Sequence, residues 1–250
     1  MPSKEKKQSY IEHLTELRSR LLRCTLIVVG AFISLIYFSN DIYQFVASPL
    51  QTLLSKNSSM IATEVASPFL SPLKLTFYVS LLISIPYVLY ETWGFIAPGM
   101  YQKERKFFIT LISISVFLFY IGILFAYYLV FPLVFSFFTT VGPEGITIMT
   151  DIGRYLDFIL NMFLAFAIVF EMPVFIFLLN WSGITTPESL SEKRPYIIIS
   201  CFVLGMFLTP PDVISQILLS VPAWFLFEVG LLLSRVFVKS STKTREQESD

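Results

Sequence analysis

Acidic side chains in unusual surroundings are the residues of this chain best placed to do chemistry. Glu171 lies near the middle of a long apolar run, in Phe170-Glu171-Met172-Pro173. A carboxylate at the centre of a bilayer costs about 2.5–3.5 kcal/mol, so it should face protein or water and is a functional candidate by default. The alternative is a glutamate that bonds a neighbouring helix purely for packing. Because Pro173 lacks an amide hydrogen, it predicts a kink beside Glu171.

Two further glutamates, Glu16 and Glu104, stand in segments that are otherwise basic. They could pair with the nearby Arg and Lys side chains, or they could accept hydrogen bonds from a visiting cation. Arginine suits such a site best, because its planar guanidinium donates two parallel hydrogen bonds to one carboxylate. The spacing alone leaves both possibilities open.

The sequence lacks the catalytic groups that an intramembrane enzyme would need. Its single histidine, His13, precedes the first apolar run, so neither a Ser–His protease nor a metalloprotease with a histidine pair can be built at membrane depth. An aspartyl protease needs two aspartates within spans, but the candidates lie at or beyond the predicted outer ends of the apolar runs: Asp41, Asp151, Asp157 and Asp212. The sequence therefore indicates no enzyme, no metal site and no cofactor.

Six long apolar runs must position these residues. Hydrophobic residues make up 55% of the chain and charged residues 14%, which is typical of a polytopic membrane protein. The runs are Leu21–Phe38, Leu75–Tyr90, Phe107–Phe131, Phe158–Trp181, Tyr196–Leu208 and Ile214–Leu233. A bilayer core about 30 Å thick needs roughly 20 helical residues. The sequence therefore predicts one all-α integral membrane domain, residues 1–250, with six transmembrane helices.

The fifth run, Tyr196–Leu208, is short for a crossing. At about 1.5 Å per residue it reaches roughly 20 Å. It meets the sixth run at Thr209-Pro210-Pro211-Asp212, a tight turn. Such a hairpin either crosses a thinned bilayer or stops partway as a re-entrant pair, and we favour the crossing.

The distribution of basic residues predicts the orientation of the chain. Fifteen of the 18 Lys and Arg residues lie on the N-terminal arm, the second and fourth connections and the tail. Only Lys56, Lys74 and Arg154 lie on the other face. The positive-inside rule therefore puts both termini in the cytoplasm. The net charge of zero hides this asymmetry and says little about partners; no nucleic-acid partner is predicted.

Three segments outside the apolar runs have predicted roles. Residues 1–23 form a cytoplasmic arm with an amphipathic helix along the membrane, because apolar residues recur there every three to four positions. Residues 39–73 are the longest external connection and are apolar enough to fold as a cap on the outer face. Residues 240–250 are polar and predict a disordered cytoplasmic tail.

Six short motifs occur in order along the chain: His13-Leu14-Thr15-Glu16-Leu17-Arg18-Ser19-Arg20-Leu21, Ser67-Pro68-Phe69, Phe95-Ile96-Ala97-Pro98-Gly99-Met100-Tyr101 with Lys103-Glu104-Arg105, Phe170-Glu171-Met172-Pro173, Lys193-Arg194-Pro195-Tyr196 and Leu208-Thr209-Pro210-Pro211-Asp212. Together they resemble the TatC family, the C subunit of the twin-arginine protein translocase. The resemblance extends from about Tyr10 to Arg235.

This resemblance implies a concave bundle of six spans, with short fifth and sixth spans, in the bacterial inner membrane. It further implies a receptor for signal peptides that carry consecutive arginines. With TatA- and TatB-type single-span subunits, in an oligomeric complex, such a receptor exports folded proteins on the proton-motive force. Six helices alone offer no pore wide enough for a folded domain, so partners are required.

The resemblance also implies roles for individual residues. Glu16 and Glu104 would accept the twin-arginine pair, with Arg18 and Arg105 shaping the same surface. The remaining implied positions are membrane or outer ones: Glu171 as a polar contact with partner subunits, Met206 and Thr209 in the groove for a TatA or TatB helix, and Pro49, Phe69 and Asp212 in the outer cap and its support.

A different class of function remains as an alternative. A proton-coupled small-solute transporter would use Glu171 as its proton site. Many such carriers are built from inverted repeats, and no internal repeat is visible in this sequence. The sequence therefore favours the translocase receptor.

Overall fold

The structure, a computed structural model, describes the backbone of residues 2–53, 60–96, 105–141, 150–208 and 213–247. Within these stretches it does not describe the side chains of residues 2–13, 47–53, 60, 105, 135, 138–141, 150, 208 and 237–247. The chain divides into two compact units, the first Met1–Val116 with Met149–Leu156 and the second Phe117–Ile148 with Asp157–Asp250.

Almost all of the described backbone is helical, which confirms the all-α prediction. The α-helices are α1 (Pro2–Leu35), α2 (Ser39–Leu53), α3 (Ser67–Ile96), α4 (Arg105–Phe125), α5 (Phe131–Val141), α6 (Ile152–Phe170), α7 (Met172–Trp181), α8 (Pro187–Glu192), α9 (Arg194–Leu208) and α10 (Val213–Gln247). Two other helical segments join neighbours, a 3-10 turn (Ile36–Phe38) before α2 and a π-helix (Ala126–Val130) before α5. Two short strands, β1 (Met60–Ile61) and β2 (Thr150–Asp151), pair in parallel.

Among the described residues, five helical stretches are long and apolar enough to cross a membrane: Leu14–Val46, Ser67–Ile96, Lys106–Val134, Ile152–Trp181 and Val213–Val236. The apolar part of α9, Arg194–Phe207, is shorter, so the predicted shortness of the fifth run is confirmed. The sixth span was also predicted to be short, and this is wrong. The apolar helical stretch Val213–Val236 has 24 residues and extends beyond the predicted run, Ile214–Leu233, at both ends.

Both termini are more helical than the sequence predicted. The arm, residues 1–23, is not a separate helix, since α1 runs unbroken from Pro2 to Leu35. No Gly or Pro interrupts the sequence between residues 3 and 29. Extending an existing helix avoids the free-energy cost of nucleating a new one, so the helix continues through the arm. The predicted disordered tail, residues 240–250, is helical as far as Gln247, and residues 248–250 lie outside the described residues.

The long helix α3 carries polar side chains on its buried side. Thr76, Ser80 and Ser84 are buried, and each hydroxyl donates a hydrogen bond of 2.7 or 2.8 Å to the carbonyl four residues earlier. Such bonds satisfy a hydroxyl within its own helix, which is why a membrane span tolerates it. Their donors therefore need no partner on another helix.

In the first unit, Asp151 ties together the connections that carry β1 and β2. Its Oδ2 accepts the hydroxyl and the backbone N–H of Thr63 at 2.6 and 2.9 Å. Its Oδ1 accepts the N–H of Arg154 at 2.9 Å, as a carboxylate at the start of a helix does. These hydrogen bonds, the Thr63 hydroxyl first among them, lower the pKa of the Asp151 carboxyl from 3.8 to about 2. The predicted cap, residues 39–73, thus contains α2, β1 and the start of α3.

In the second unit, glycines allow helices to pack closely. A Cβ atom at Gly122 would lie 2.8 Å from the carbonyl oxygen of Phe166 and 3.0 Å from Cα of Ala167, so α4 and α6 are in backbone contact. On α10, a Cβ at Gly230 would lie 2.9 Å from Cα of Pro173 on α7. Small residues at such crossings are the usual means of close packing between membrane helices.

Replacing Asp151 with Asn should lower the temperature of unfolding at neutral pH, because the amide cannot accept as the carboxylate does. Since folding lowers the Asp151 pKa, the wild-type advantage is fully present above the usual aspartate pKa of about 4 and is lost as the pH falls through about 2. Thermal unfolding of both proteins in one detergent, from about pH 6 to about pH 2, checks this. If the difference in unfolding temperature between the two proteins stays constant over that pH range, the predicted role of the Asp151 carboxylate is contradicted.

Gly122→Ala should destabilise the protein by about 1–3 kcal/mol, because the added methyl group meets backbone atoms that cannot move aside. Gly30→Ala is the matched control. A Cβ at Gly30 has no atom within 4 Å, and alanine has the higher helix propensity. Denaturant unfolding of both variants gives the comparison, and equal stability of the two variants would refute the close contact.

Candidate functional site

Glu16 lies on α1 beside an arginine one helical turn further on. Both Nε and Nη2 of Arg20 donate to Oε1 of Glu16, at 2.9 and 2.6 Å. Residues four apart share one face of a helix, and Glu before Arg is the favourable order. The Glu16 side chain remains 43% exposed. Local pairing, one of the two possibilities that the sequence left open for Glu16, is therefore present.

The same arginine reaches from α1 to Glu91 on α3. Its Nη1 donates to Oε2 of Glu91 at 2.9 Å and to the Glu91 backbone carbonyl at 3.3 Å. Gly94 leaves room for this arrangement, because a Cβ there would lie 3.0 Å from Nη1 of Arg20. Arg20 therefore connects an exposed carboxylate with a buried one.

Glu91 is the centre of the site. Its side chain is only 6% exposed. Besides Arg20, it accepts Nε and Nη2 of Arg23 at 2.9 and 3.0 Å and the hydroxyl of Tyr87 at 2.8 Å. A buried carboxylate is tolerated when charged partners and hydrogen bonds compensate for lost hydration. We call Glu16, Arg20, Arg23 and Glu91 the ion cluster.

Neighbouring contacts hold Glu91 in place. Trp93, two residues along α3, donates its indole N–H to Ser115 on α4 at 2.8 Å, and both residues are buried. Tyr90 packs edge-on against the buried Phe108, with ring centroids 6.0 Å apart. These contacts fix the rotation of α3, so its acidic residue faces α1.

The sequence analysis missed Glu91, although a signal for it exists. Glu91 follows directly after the second apolar run, Leu75–Tyr90. With an alternating chain direction, the end of that run lies on the same side of the membrane as the start of the first run, where Arg20 and Arg23 stand. An acidic residue at that boundary, facing two arginines three residues apart, could have been predicted to pair with them.

The other predicted receptor residues are only partly visible. Arg18 is described and exposed on α1. Arg105 begins α4, but its side chain is not described. Glu104 lies outside the described residues, directly before α4. The structure thus places Glu16 with Arg20 and Glu91, and the pairing of Glu16 with Glu104 stays a prediction.

Glu171 occupies the predicted break in the fourth apolar run. It is buried and separates α6 from α7. Its N–H bonds the Ile168 carbonyl three residues back at 3.1 Å, which is tighter than an α-helical turn. The helix is therefore interrupted two residues before Pro173, at the place where the sequence predicts a kink. Whether Glu171 acts on partner subunits stays a prediction.

The remaining predicted positions fall on several elements. Met206 is on α9 and is 53% exposed, and Phe69 is in the first turn of α3 and is 70% exposed. Pro49 belongs to α2, but its side chain is not described. Thr209 and Asp212 lie outside the described residues. Their roles as groove and cap residues stay predictions.

A second ion pair, also missed from the sequence, joins α9 to α10. Arg194 donates Nε and Nη2 to the two oxygens of Glu228 at 2.7 and 2.8 Å, the parallel geometry that favours arginine with carboxylates. Arg194 lies in a basic motif and Glu228 within the sixth run, 34 residues apart. The pair holds the short fifth helix against the sixth.

Comparison with known proteins identifies the family. A family model described as Sec-independent protein translocase protein (TatC) matches residues 12–222. The chain belongs to the TatC family. The Haemophilus influenzae protein TatC is 54% identical over all of this chain and 98% of its own length. The Escherichia coli K12 protein TatC is 52% identical over 98% of this chain and 95% of its own length.

A solved structure agrees with this assignment. A crystal structure described as the twin-arginine translocase receptor TatC superposes with a TM-score of 0.79 at 32% identity, covering 90% of this chain and 98% of that one. The resemblance seen in the motifs is thereby confirmed. This TatC-family chain is a multi-pass membrane protein and a component of the Sec-independent, twin-arginine protein translocase. The family is one of translocase components, not of enzymes.

Proposed function

We propose that this chain is the receptor for twin-arginine signal peptides, with Glu16 as one of the two acceptors. The observation that carries the proposal is the geometry at Glu16. A partly exposed carboxylate already accepts two N–H groups of a guanidinium, at 2.9 and 2.6 Å. Both groups reach one oxygen, Oε1, which leaves the other oxygen of this carboxylate to accept a guanidinium of the peptide.

Glu104 is proposed as the second acceptor, with Arg18 and Arg105 shaping the surface around it. Glu104 directly precedes α4, and Glu91 lies five residues before the end of α3. The connection between these helices therefore begins close to the ion cluster along the chain. Exposed ion pairs are worth only about 0–1 kcal/mol each, so useful affinity needs two acceptors and apolar contacts with the peptide.

The proposed topology has six spans with both termini in the cytoplasm. The basic residues support it, since fifteen of 18 lie on the N-terminal arm, the second and fourth connections and the tail. The sixth crossing requires α9, whose apolar stretch Arg194–Phe207 is the short one. A helix of this length crosses where the bilayer thins.

Export itself is proposed to require TatA- and TatB-type subunits in the inner membrane and the proton-motive force. Met206 is an exposed apolar residue on α9, which suits contact with another membrane helix, and Thr209 follows it closely. Glu171, buried at a helix break, is proposed as the polar contact of that assembly. Pro49, Phe69 and Asp212 are proposed to support the outer cap.

A small-solute carrier that uses Glu171 as a proton site was the alternative. Burial of Glu171 at a helix break is the kind of site that such carriers use. Membership of the TatC family favours the translocase instead. The receptor is therefore the function that we carry forward.

Replacing both acceptors, Glu16→Gln with Glu104→Gln, should lower crosslinking of a twin-arginine signal peptide by about tenfold or more, because each neutral amide loses a charge-assisted hydrogen bond. Photocrosslinking in inverted membrane vesicles from cells that express the full chain provides the measurement. Glu188→Gln, at an exposed glutamate on α8, is the matched control.

Substituting lysine for both peptide arginines should reduce crosslinking to wild-type vesicles in the same way, since lysine cannot make the parallel pair. If the double variant crosslinks the twin-arginine peptide as well as the wild-type chain does, the assignment of Glu16 and Glu104 is refuted.

A further inference from the structure

The ion cluster is electrically balanced. It contains two glutamates and two arginines, so its formal charges cancel. Arg23 is 50% exposed and Arg20 is 19% exposed, which puts two positive charges within two helical turns of Glu16. A peptide that presents two arginines would be repelled by these charges if nothing neutralised them. Glu91, buried on α3, is the group that does so.

Arg20 divides its donors between the two carboxylates. Its Nε and Nη2 bind Oε1 of Glu16, and its Nη1 is held by Oε2 and the backbone carbonyl of Glu91. Held in this way, Arg20 engages only one oxygen of Glu16. Among the described residues, Oε2 of Glu16 has no hydrogen-bond donor. That oxygen lies on a side chain that is 43% exposed and is open to an added guanidinium.

From this arrangement we infer that Glu91 is a positioning residue of the signal-peptide site. It neutralises and anchors Arg20 and Arg23, and so keeps Glu16 available to an arginine of the peptide. The inference rests on the proposed receptor function and adds to it a residue that does not itself contact the peptide. Tyr87 contributes by donating its hydroxyl to Glu91 and holding the carboxylate in place.

Loss of the charge on Glu91 would unbalance the site. The cluster would carry a net positive charge, which opposes the approach of a guanidinium pair and lowers the affinity for the peptide.

A purely structural role for Glu91 is the competing explanation, because the carboxylate also holds α1 against α3. The two roles differ in how binding responds to Arg23. In the positioning role the charge balance decides, so removing Arg23 compensates for removing Glu91. In the structural role each loss weakens the link between the helices, so the double variant is at least as impaired as Glu91→Gln.

The test compares Glu91→Gln, Arg23→Gln and the double variant with the wild-type chain. Binding of a fluorescent twin-arginine signal peptide is titrated in inverted vesicles from cells that express each full chain. Glu91→Gln should bind about fivefold to tenfold more weakly, the size expected for one unbalanced charge in a partly solvated site. This deficit should shrink when the salt concentration is raised to about 1 M.

Arg23→Gln leaves the cluster with a net negative charge and should bind the peptide about twofold or more tightly than the wild-type chain. The double variant restores the balance and should bind within about twofold of wild type. Wild-type affinity in Glu91→Gln, or a double variant that binds no more tightly than Glu91→Gln, would overturn the inference.

Two controls keep the outcomes separate. If wild-type vesicles do not distinguish the twin-arginine peptide from its twin-lysine version, the proposed receptor function fails, whatever the variants do. If wild-type vesicles do distinguish the two peptides but the variants do not show the predicted order of affinities, only the role of Glu91 fails. Should Glu91→Gln not accumulate in the membrane, Arg23→Gln and the double variant decide: weakened binding by either overturns the inference, and wild-type or tighter binding by both supports it.

Discussion

A buried carboxylate that must be neutralised determines how the first unit is built. Glu91 sits on a membrane-spanning helix with 6% of its side chain exposed, and its charge is compensated by Arg20 and Arg23 of another helix. Apolar side chains also join the two helices, and Phe32 of α1 packs edge-on against Phe77 of α3 with ring centroids 6.0 Å apart. Val28 is the one buried hydrophobic residue among the described side chains of α1. The ionic contacts add a polar constraint at the end of α1 that carries Glu16, and Arg20 links that glutamate to α3.

The same chemistry serves inside the protein and at its proposed ligand site. Arginine and glutamate pair through planar, parallel hydrogen bonds, as in the contact of Arg23 with Glu91 and of Arg194 with Glu228. A receptor that recognises arginines while containing arginines of its own must prevent its own groups from filling the site. Holding them on a buried counter-charge is a physical solution to that problem.

Much of this structure could be predicted from the sequence, but the decisive contact was not. Apolar length predicted the five long spans, because lipid requires a helix of a certain length whatever its neighbours are, and Pro173 predicted an interruption of the helix near Glu171. The links from α1 to Glu91 join residues 68 and 71 positions apart, and periodicity carries no information on such pairs. The continuity of α1 was missed because a change in polarity was taken for a change of element.

The coupling between Arg23 and Glu91 in stability tests the central claim most directly. The free energy of unfolding is measured in one detergent for the wild-type chain, both single Gln variants and the double variant. Loss of Arg23 should cost about 1–3 kcal/mol more when Glu91 is intact than when it is already Gln, because a buried carboxylate then loses one of its two charged partners. Additivity of the two substitutions within about 0.5 kcal/mol would contradict the account.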